Sequence, residues 1–215
     1  MRNIRLYTNQ AVPPEARQRL ATDLGKVLPV TSTEVIHQKS EGVTSIVQLV
    51  LEASQWVTPL KAAASYFLYQ VGKSVGGFSS QIGKRAANAV VDRWEEKNGA
   101  GDDSDDEALR EVAKALADVC RATDDRTQLR VGLPIPDDFM SCCVELEDPS
   151  EKDIALIVSL LVVQADLIDQ TIKEAAQDHD IFGPVHLSLR EDGRFEARWK
   201  DQQFGKHHVV IGDAT

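Results

Sequence analysis

Residues 43–77 read VTSIVQLVLEASQWVTPLKAAASYFLYQVGKSVGG, the start of a stretch to residue 94 in which apolar and small residues run together with few charges. Ile46, Val50, Ala53, Val57, Leu60, Ala64, Phe67 and Val71 follow one another at alternating steps of four and three, the spacing of one buried helical face. A second pattern overlaps the first. Gly72, Gly76 and Ser80 form one row of small residues four apart, and Ser79, Gly83 and Ala87 form another, so a neighbouring backbone can approach closely there. The spacing predicts helix over residues 43–97, and one straight helix of that length would span roughly 80 Å. A compact chain of this size has a radius of gyration of about 17 Å. The segment therefore breaks, with Thr58-Pro59 as a cap followed by a first-turn proline and Gly76-Gly77 as a second weak point.

Outward from this segment the patterns shorten. IRLY at 4–7 alternates as a strand, Pro13-Pro14-Glu15 opens a helix to about Val27, and TEVIH at 33–37 is the next strand, so the chain begins β-α-β. Residues 98–107, NGAGDDSDDE, offer nothing to bury and read as an acidic linker or loop. A helix follows through Leu109, Val112, Ala113, Leu116 and Val119, then strands at 129–133 and 142–146. Asp148-Pro149-Ser150-Glu151 is a helix start, read with Asp148 as the cap and Glu151 three residues on. The helix it opens is apolar on nearly all sides and runs out near Asp178. VHLSLR and FEARW, joined through Glu191-Asp192-Gly193, form a β-hairpin, and HVVI at 208–211 adds a last strand. In that hairpin Val185, Leu187, Leu189, Phe195, Ala197 and Trp199 share the buried face, while His186, Ser188, Arg190, Glu196 and Arg198 face solvent or a partner.

The expected fold class is α+β, helix-dominated, with a small mixed or antiparallel sheet and long helices packed on it. Residues 1–97 form a β-α-β unit plus a helical hairpin, 98–107 the acidic linker, and 108–215 an α/β segment, the two halves joining as one domain or remaining two.

At 215 residues, 42% hydrophobic and 27% charged, the composition is that of a globular domain with a full core. The net charge of −10 divides unevenly, +4 over residues 1–98 and −14 over 99–215. Such a division suits partner recognition and disfavours general nucleic-acid binding, since the acidic half repels phosphate. Asp102, Asp103, Asp105, Asp106 and Glu107 are the candidate acidic interaction surface. Three cysteines, Cys120, Cys142 and Cys143, make a poor disulfide framework and point to a reducing compartment. The N-terminus has no apolar signal core, and the longest uncharged runs, 154–165 and 62–72, fall short of a span, so a soluble cytoplasmic protein is expected.

Chemistry-bearing motifs are incomplete. Gly72-Lys73-Ser74 resembles the end of a phosphate-binding loop, but Phe67 stands where the first glycine belongs. No metal-ligand spacing occurs, and Cys142-Cys143 and His207-His208 are adjacent pairs that a strand sends to opposite faces. No metal or other cofactor is expected. Asp178-His179-Asp180 is the one local cluster with general-base potential. Gly72, Gly76, Ser80, Gly83 and Ala87 are the candidate helix-packing or self-association residues.

The β-α-β front followed by a small-residue apolar stretch (VTSIVQLVLEASQW, AAASYFLYQVGKSVGG), together with the closing hairpin VHLSLREDGRFEARW, is similar to the small effector-associated constant component proteins of bacterial conflict systems. That resemblance is one of layout over about half the chain, and implies an accessory role beside a toxic or defensive effector, with no catalysis of its own. The expected function is accordingly a non-enzymatic interaction protein of the bacterial cytoplasm, with a protein partner and homo-oligomerisation as a further possibility. The alternatives are a membrane-directed or self-associating effector acting through helices at 59–97, a stretch rich in lysine and arginine, and a hydrolase-like enzyme built around His179.

Overall fold

The computed structural model describes residues 4–27, 30–36, 45–51, 64, 67–68, 106–123, 127–134, 141–178 and 180–212. Within them lie strands β1 (Ile4–Asn9), β2 (Val30–Ile36), β3 (Ser45–Leu51), β4 (Thr127–Pro134), β5 (Ser141–Glu147), β6 (Phe182–Leu189), β7 (Phe195–Lys200) and β8 (Lys206–Val210). The helices are α1 (Pro14–Val27), α2 (Asp106–Arg121), α3 (Glu151–Val163) and α4 (Ala165–Asp178).

All eight strands join one mixed sheet in the order β2-β1-β3-β4-β5-β6-β7-β8. Parallel pairs β1/β2, β3/β4 and β5/β6 alternate with antiparallel pairs β1/β3 and β4/β5, and β6-β7-β8 closes the sheet as an antiparallel meander. Each parallel pair requires a crossover. Helix α1 lies in the first, α2 in the second, and α3 with α4 in the third. Strands from both sides of residues 98–107 thus share one sheet, because β3 pairs with β4 from Ser45↔Thr127 to Val50↔Gly132.

The expected helix-dominated fold with a small sheet is therefore incorrect; the protein is sheet-rich. Residues 45–51, whose apolar spacing also fits a helix, are the strand β3. Its residues are buried on both sides except Gln48. A strand covered on both faces loses the alternation that marks a strand and reads as a continuous apolar run. Ile46, Val47 and Val50 are β-branched and suit a pleated surface. The Asn9 side chain accepts a hydrogen bond from Ile46 N at 3.0 Å and ties the start of β3 to the end of β1.

The main core lies between one sheet face and the helices. Leu6, Val47, Leu49, Leu129, Val131, Val144, Leu187 and Phe195 meet Leu20, Leu24, Leu109, Leu116, Ile154 and Leu161 in one continuous cluster. Helix α3 is buried at every residue from Asp153 to Val162, as its sequence predicts. Its cap differs from the expected one. Ser150 is the N-cap, accepting from Asp153 N at 3.2 Å, while Asp153 accepts from Ser150 N at 3.0 Å in a reciprocal capping box. Asp148 stands at φ +43°, a turn conformation that ends β5 and does not suit a helix cap. Helices α3 and α4 bend by 65° at Gln164, whose side chain donates to Gly193 O at 3.3 Å. Asp106 and Glu107, assigned above to the linker, are the first two residues of α2.

Gly132 sits where β5 leaves no room for a side chain. A Cβ there would overlap Cys142 O and lie 2.8 Å from Cys143 Cβ. Gly132→Ala is therefore expected to destabilise the protein by about 1–3 kcal/mol through overpacking, a loss that denaturant titration would register.

Candidate functional site: a cationic open sheet face

The sheet's second face is covered in the middle and open at one end. Ile46, Val50 and Cys143 are buried there, whereas the corresponding positions on β6, β7 and β8 reach solvent. Pairing in this meander is His186↔Arg198↔His208 on one rung and Phe182↔Lys200↔Lys206 on the next. Side chains directly opposite one another share a face. The result is a grid of two imidazoles, three permanent cations and one aromatic ring.

The grid borders a groove of about 620 Å³, lined also by Pro184, Glu196, Trp199 and His207. Glu196 is its only carboxylate and is committed to Arg198, whose Nη2 lies 2.7 Å from Oε2. That hydrogen bond, more than the opposing effect of burial, holds the Glu196 carboxyl below its ordinary range. Two extra residues in β6 between Phe182 and His186 break the register, with Gly183 at φ +89° supplying the turn. Just before this bulge, Phe182 makes an edge-to-face contact with Phe204, their centroids 5.9 Å apart and their planes at 76°. Both rings are more than half exposed. Trp199 keeps its indole N–H buried without a hydrogen-bond partner among the described residues.

The loop from β7 to β8 is held by Asp201. One carboxylate oxygen accepts from Gln203 N at 2.9 Å and Gly205 N at 2.7 Å, and the other lies 2.8 Å from His207 Nε2. The His207 ring stacks on Trp199 with centroids 5.7 Å apart. The His207 hydrogen bond, then that from Gly205, holds the Asp201 carboxyl below its ordinary value of 3.8. A lowered folded-state value means that this contribution to stability is present above the ordinary range and is lost as pH falls through the lowered value. Asp201→Asn is expected to lower the thermal midpoint at pH 7, with the gap to wild type closing as pH falls through the lowered carboxyl value; melts of both proteins over an acid pH series check this.

A second polar cluster adjoins the grid. Arg130 Nε lies 3.0 Å from Glu145 Oε1, Gln128 Nε2 donates to Glu145 Oε2 at 3.2 Å, and His186 Nδ1 is 3.7 Å from Glu145 Oε1. Together they carry the polar row from β4 across β5 to β6. Ser188, on the same face, donates to Glu196 O at 3.5 Å.

Among residues singled out from sequence, His186, Ser188, Glu196 and Arg198 come together on this open face. Gly72, Gly76, Ser80, Gly83, Ala87, Asp102, Asp103, Asp105 and His179 lie outside the described residues. Glu107 is exposed on the first turn of α2. Lys200, Lys206, His208 and Phe182 were missed, although the alternation of FEARWK and KHHVV places their charges on one side. Among the described residues no group of three or more His, Cys, Asp or Glu could hold a metal ion, and no single helix is long and apolar enough to cross a membrane.

Cys142 and Cys143 are buried, and Cys120 is partly so. Burial first, and then the charge of Asp148, push the Cys120 thiol up to about 12, and burial raises Cys142 well above the ordinary thiol value. Thiolates are the reactive species. None of the three should react with a maleimide or disulfide reagent at pH 8 within minutes in the folded protein, and all three should react on denaturation, a difference that mass spectrometry counts directly.

No protein-family model, curated protein or solved structure matches the chain.

Proposed function

We propose that this chain is a non-enzymatic interaction protein, an accessory factor of the bacterial cytoplasm, and that the open face of β6-β7-β8 is its docking surface for an acidic segment of a partner protein. The observation that carries this reading is the concentration of Arg198, Lys200, Lys206, His186 and His208 on one exposed face within a half of the chain whose net charge is −14. Charge gathered against the local balance steers an oppositely charged partner and rejects others. The groove supplies fixed donors and an aromatic rim, and its one carboxylate is paired, an arrangement that favours holding a ligand over transforming one. The accessory role implied by the resemblance to effector-associated proteins agrees with that reading.

The test is fluorescence anisotropy with a labelled glutamate-rich peptide. Binding is expected to weaken about tenfold, or roughly 1.4 kcal/mol, in the Arg198→Glu/Lys206→Glu double variant. It should also weaken as salt rises and surface charges become screened beyond about 8 Å. Unchanged affinity in the double variant, with its melting temperature preserved, would remove this face from the function.

A further inference from the structure

The edge of the sheet beside the cationic grid carries a backbone pattern of its own. Strand β8 ends the strand order, and no strand lies beyond it among the described residues. Ile211 N donates to Phe195 O at 2.8 Å, and Asp201 N donates to Gly205 O at 3.0 Å. In an antiparallel pair, residues alternate between those bonded to the partner strand and those whose N–H and C=O point away. With Ile211 and Gly205 bonded towards β7, His207 and Val209 share their phase. Lys206, His208 and Val210 therefore turn their backbone N–H and C=O groups outward. These include the two β8 residues whose side chains belong to the grid, so backbone donors and acceptors and cationic side chains are offered at the same positions.

We infer that β8 takes an extended peptide from the partner as a ninth strand, with acidic side chains at alternate positions. The inference rests on the docking reading above and specifies its geometry. An antiparallel segment bonded to Lys206 and His208 sets its directly opposed residues on the cationic face, where carboxylates meet Lys206, His208 and Arg198 beyond. The residues between them fall on the other face, beside Val209 and the ring of His207, where apolar side chains fit. The recognised pattern is acid-apolar-acid-apolar. Strand addition of this kind draws affinity from the backbone and specificity from alternate side chains. A second copy of β8 is a poorer occupant, because Lys206 and His208 would meet their own kind across the new pair. A nucleic acid has no peptide backbone to satisfy the outward N–H and C=O groups.

Two capped, labelled peptides of equal composition decide the matter, GVEVEVG and its block isomer GVVVEEG. The alternating peptide is expected to bind at least about tenfold more tightly. N-methylation of its amides at alternate positions should abolish binding in one phase and spare it in the other. His208→Pro removes an outward N–H without touching the β7 ladder, as edge positions tolerate, and is expected to cost about tenfold where His208→Ala costs less than threefold; equal melting temperatures for the two variants control for folding. Equal affinity for both isomers, still weakened by Arg198→Glu, would overturn strand addition and leave the docking face standing. Binding of neither peptide at millimolar concentration would remove both. A chain that dimerises through β8, its dimer lost in His208→Pro and undisturbed by peptide, would overturn the acidic occupant, as would tighter binding of single-stranded oligothymidine.

Discussion

Parallel pairing of β3 with β4 is the contact on which the rest of this structure depends. It is the only described junction between strands β2-β1-β3 from the first part of the sequence and β4 to β8 from the second. Val47 lies opposite Leu129 and Leu49 opposite Val131, and all four are fully buried on the helix side. Each such side chain stabilises the fold by about 1.5–3 kcal/mol relative to exposure, so the seam is strong. Without it, two long strand edges would be left open, each a template for aggregation. The crossover that returns the chain to this seam ends in α2, which packs between α1 and α3. Pairing of the strands and layering of the helices are thus set together.

Helix α3 transmits that order to the end of the sheet. Its capping box fixes where the chain leaves β5, its apolar body fills the core, and the bend at Gln164 turns α4 back towards β6. Gln164 is bound to Gly193 in the β6-β7 turn, and the side chain of Leu167 in α4 approaches Gly212 just beyond β8. Helical cover is thereby given to one face of the terminal meander. The opposite face of that meander stays open, and the cationic grid occupies it. Openness here follows from topology, and the residue types match it: rows that are apolar on β3 become Lys, Arg and His on β6, β7 and β8.

Much of this was legible where strands are covered on one face only. Alternation placed Val185, Leu187, Phe195, Ala197 and Trp199 inside and His186, Glu196 and Arg198 outside, and the Asp192-Gly193 turn between them has Gly193 at φ +77°. Helix α3 was equally clear because ten consecutive buried residues leave no polar stripe. SIVQLVL was not, because burial on both faces removes the period that distinguishes strand from helix, and its spacing of four also fits a helix. Reading that segment as helix removes one strand of the eight and tips the expected balance towards helix, although the α+β mixture itself is legible. For the site, the difficulty was of another kind. Along the chain the second half is strongly acidic, and that sum hides the cations that a strand sorts to one face by parity.

Sorting by parity also explains how one strand holds the core with one set of residues and leaves a polar face with the other. Odd positions of β7 and β8 between Phe195 and Ile211 are apolar or, like His207, are held by an internal partner, and they carry the core. Even positions carry the exposed Arg198, Lys200, Lys206 and His208 and the half-buried Glu196, with Val210 the apolar exception, and on β8 they are also the positions whose backbone faces outward. A substitution at an even position therefore alters charge or an edge group while the hydrophobic packing beneath is kept, because successive side chains lie on opposite sides of the sheet. Lysine on a short edge strand ordinarily guards against unwanted pairing. In the proposed docking the same lysine, set beside Arg198 and two histidines, favours an occupant of opposite charge and disfavours one of like charge, so that protection of the edge and choice of its occupant would follow from a single arrangement.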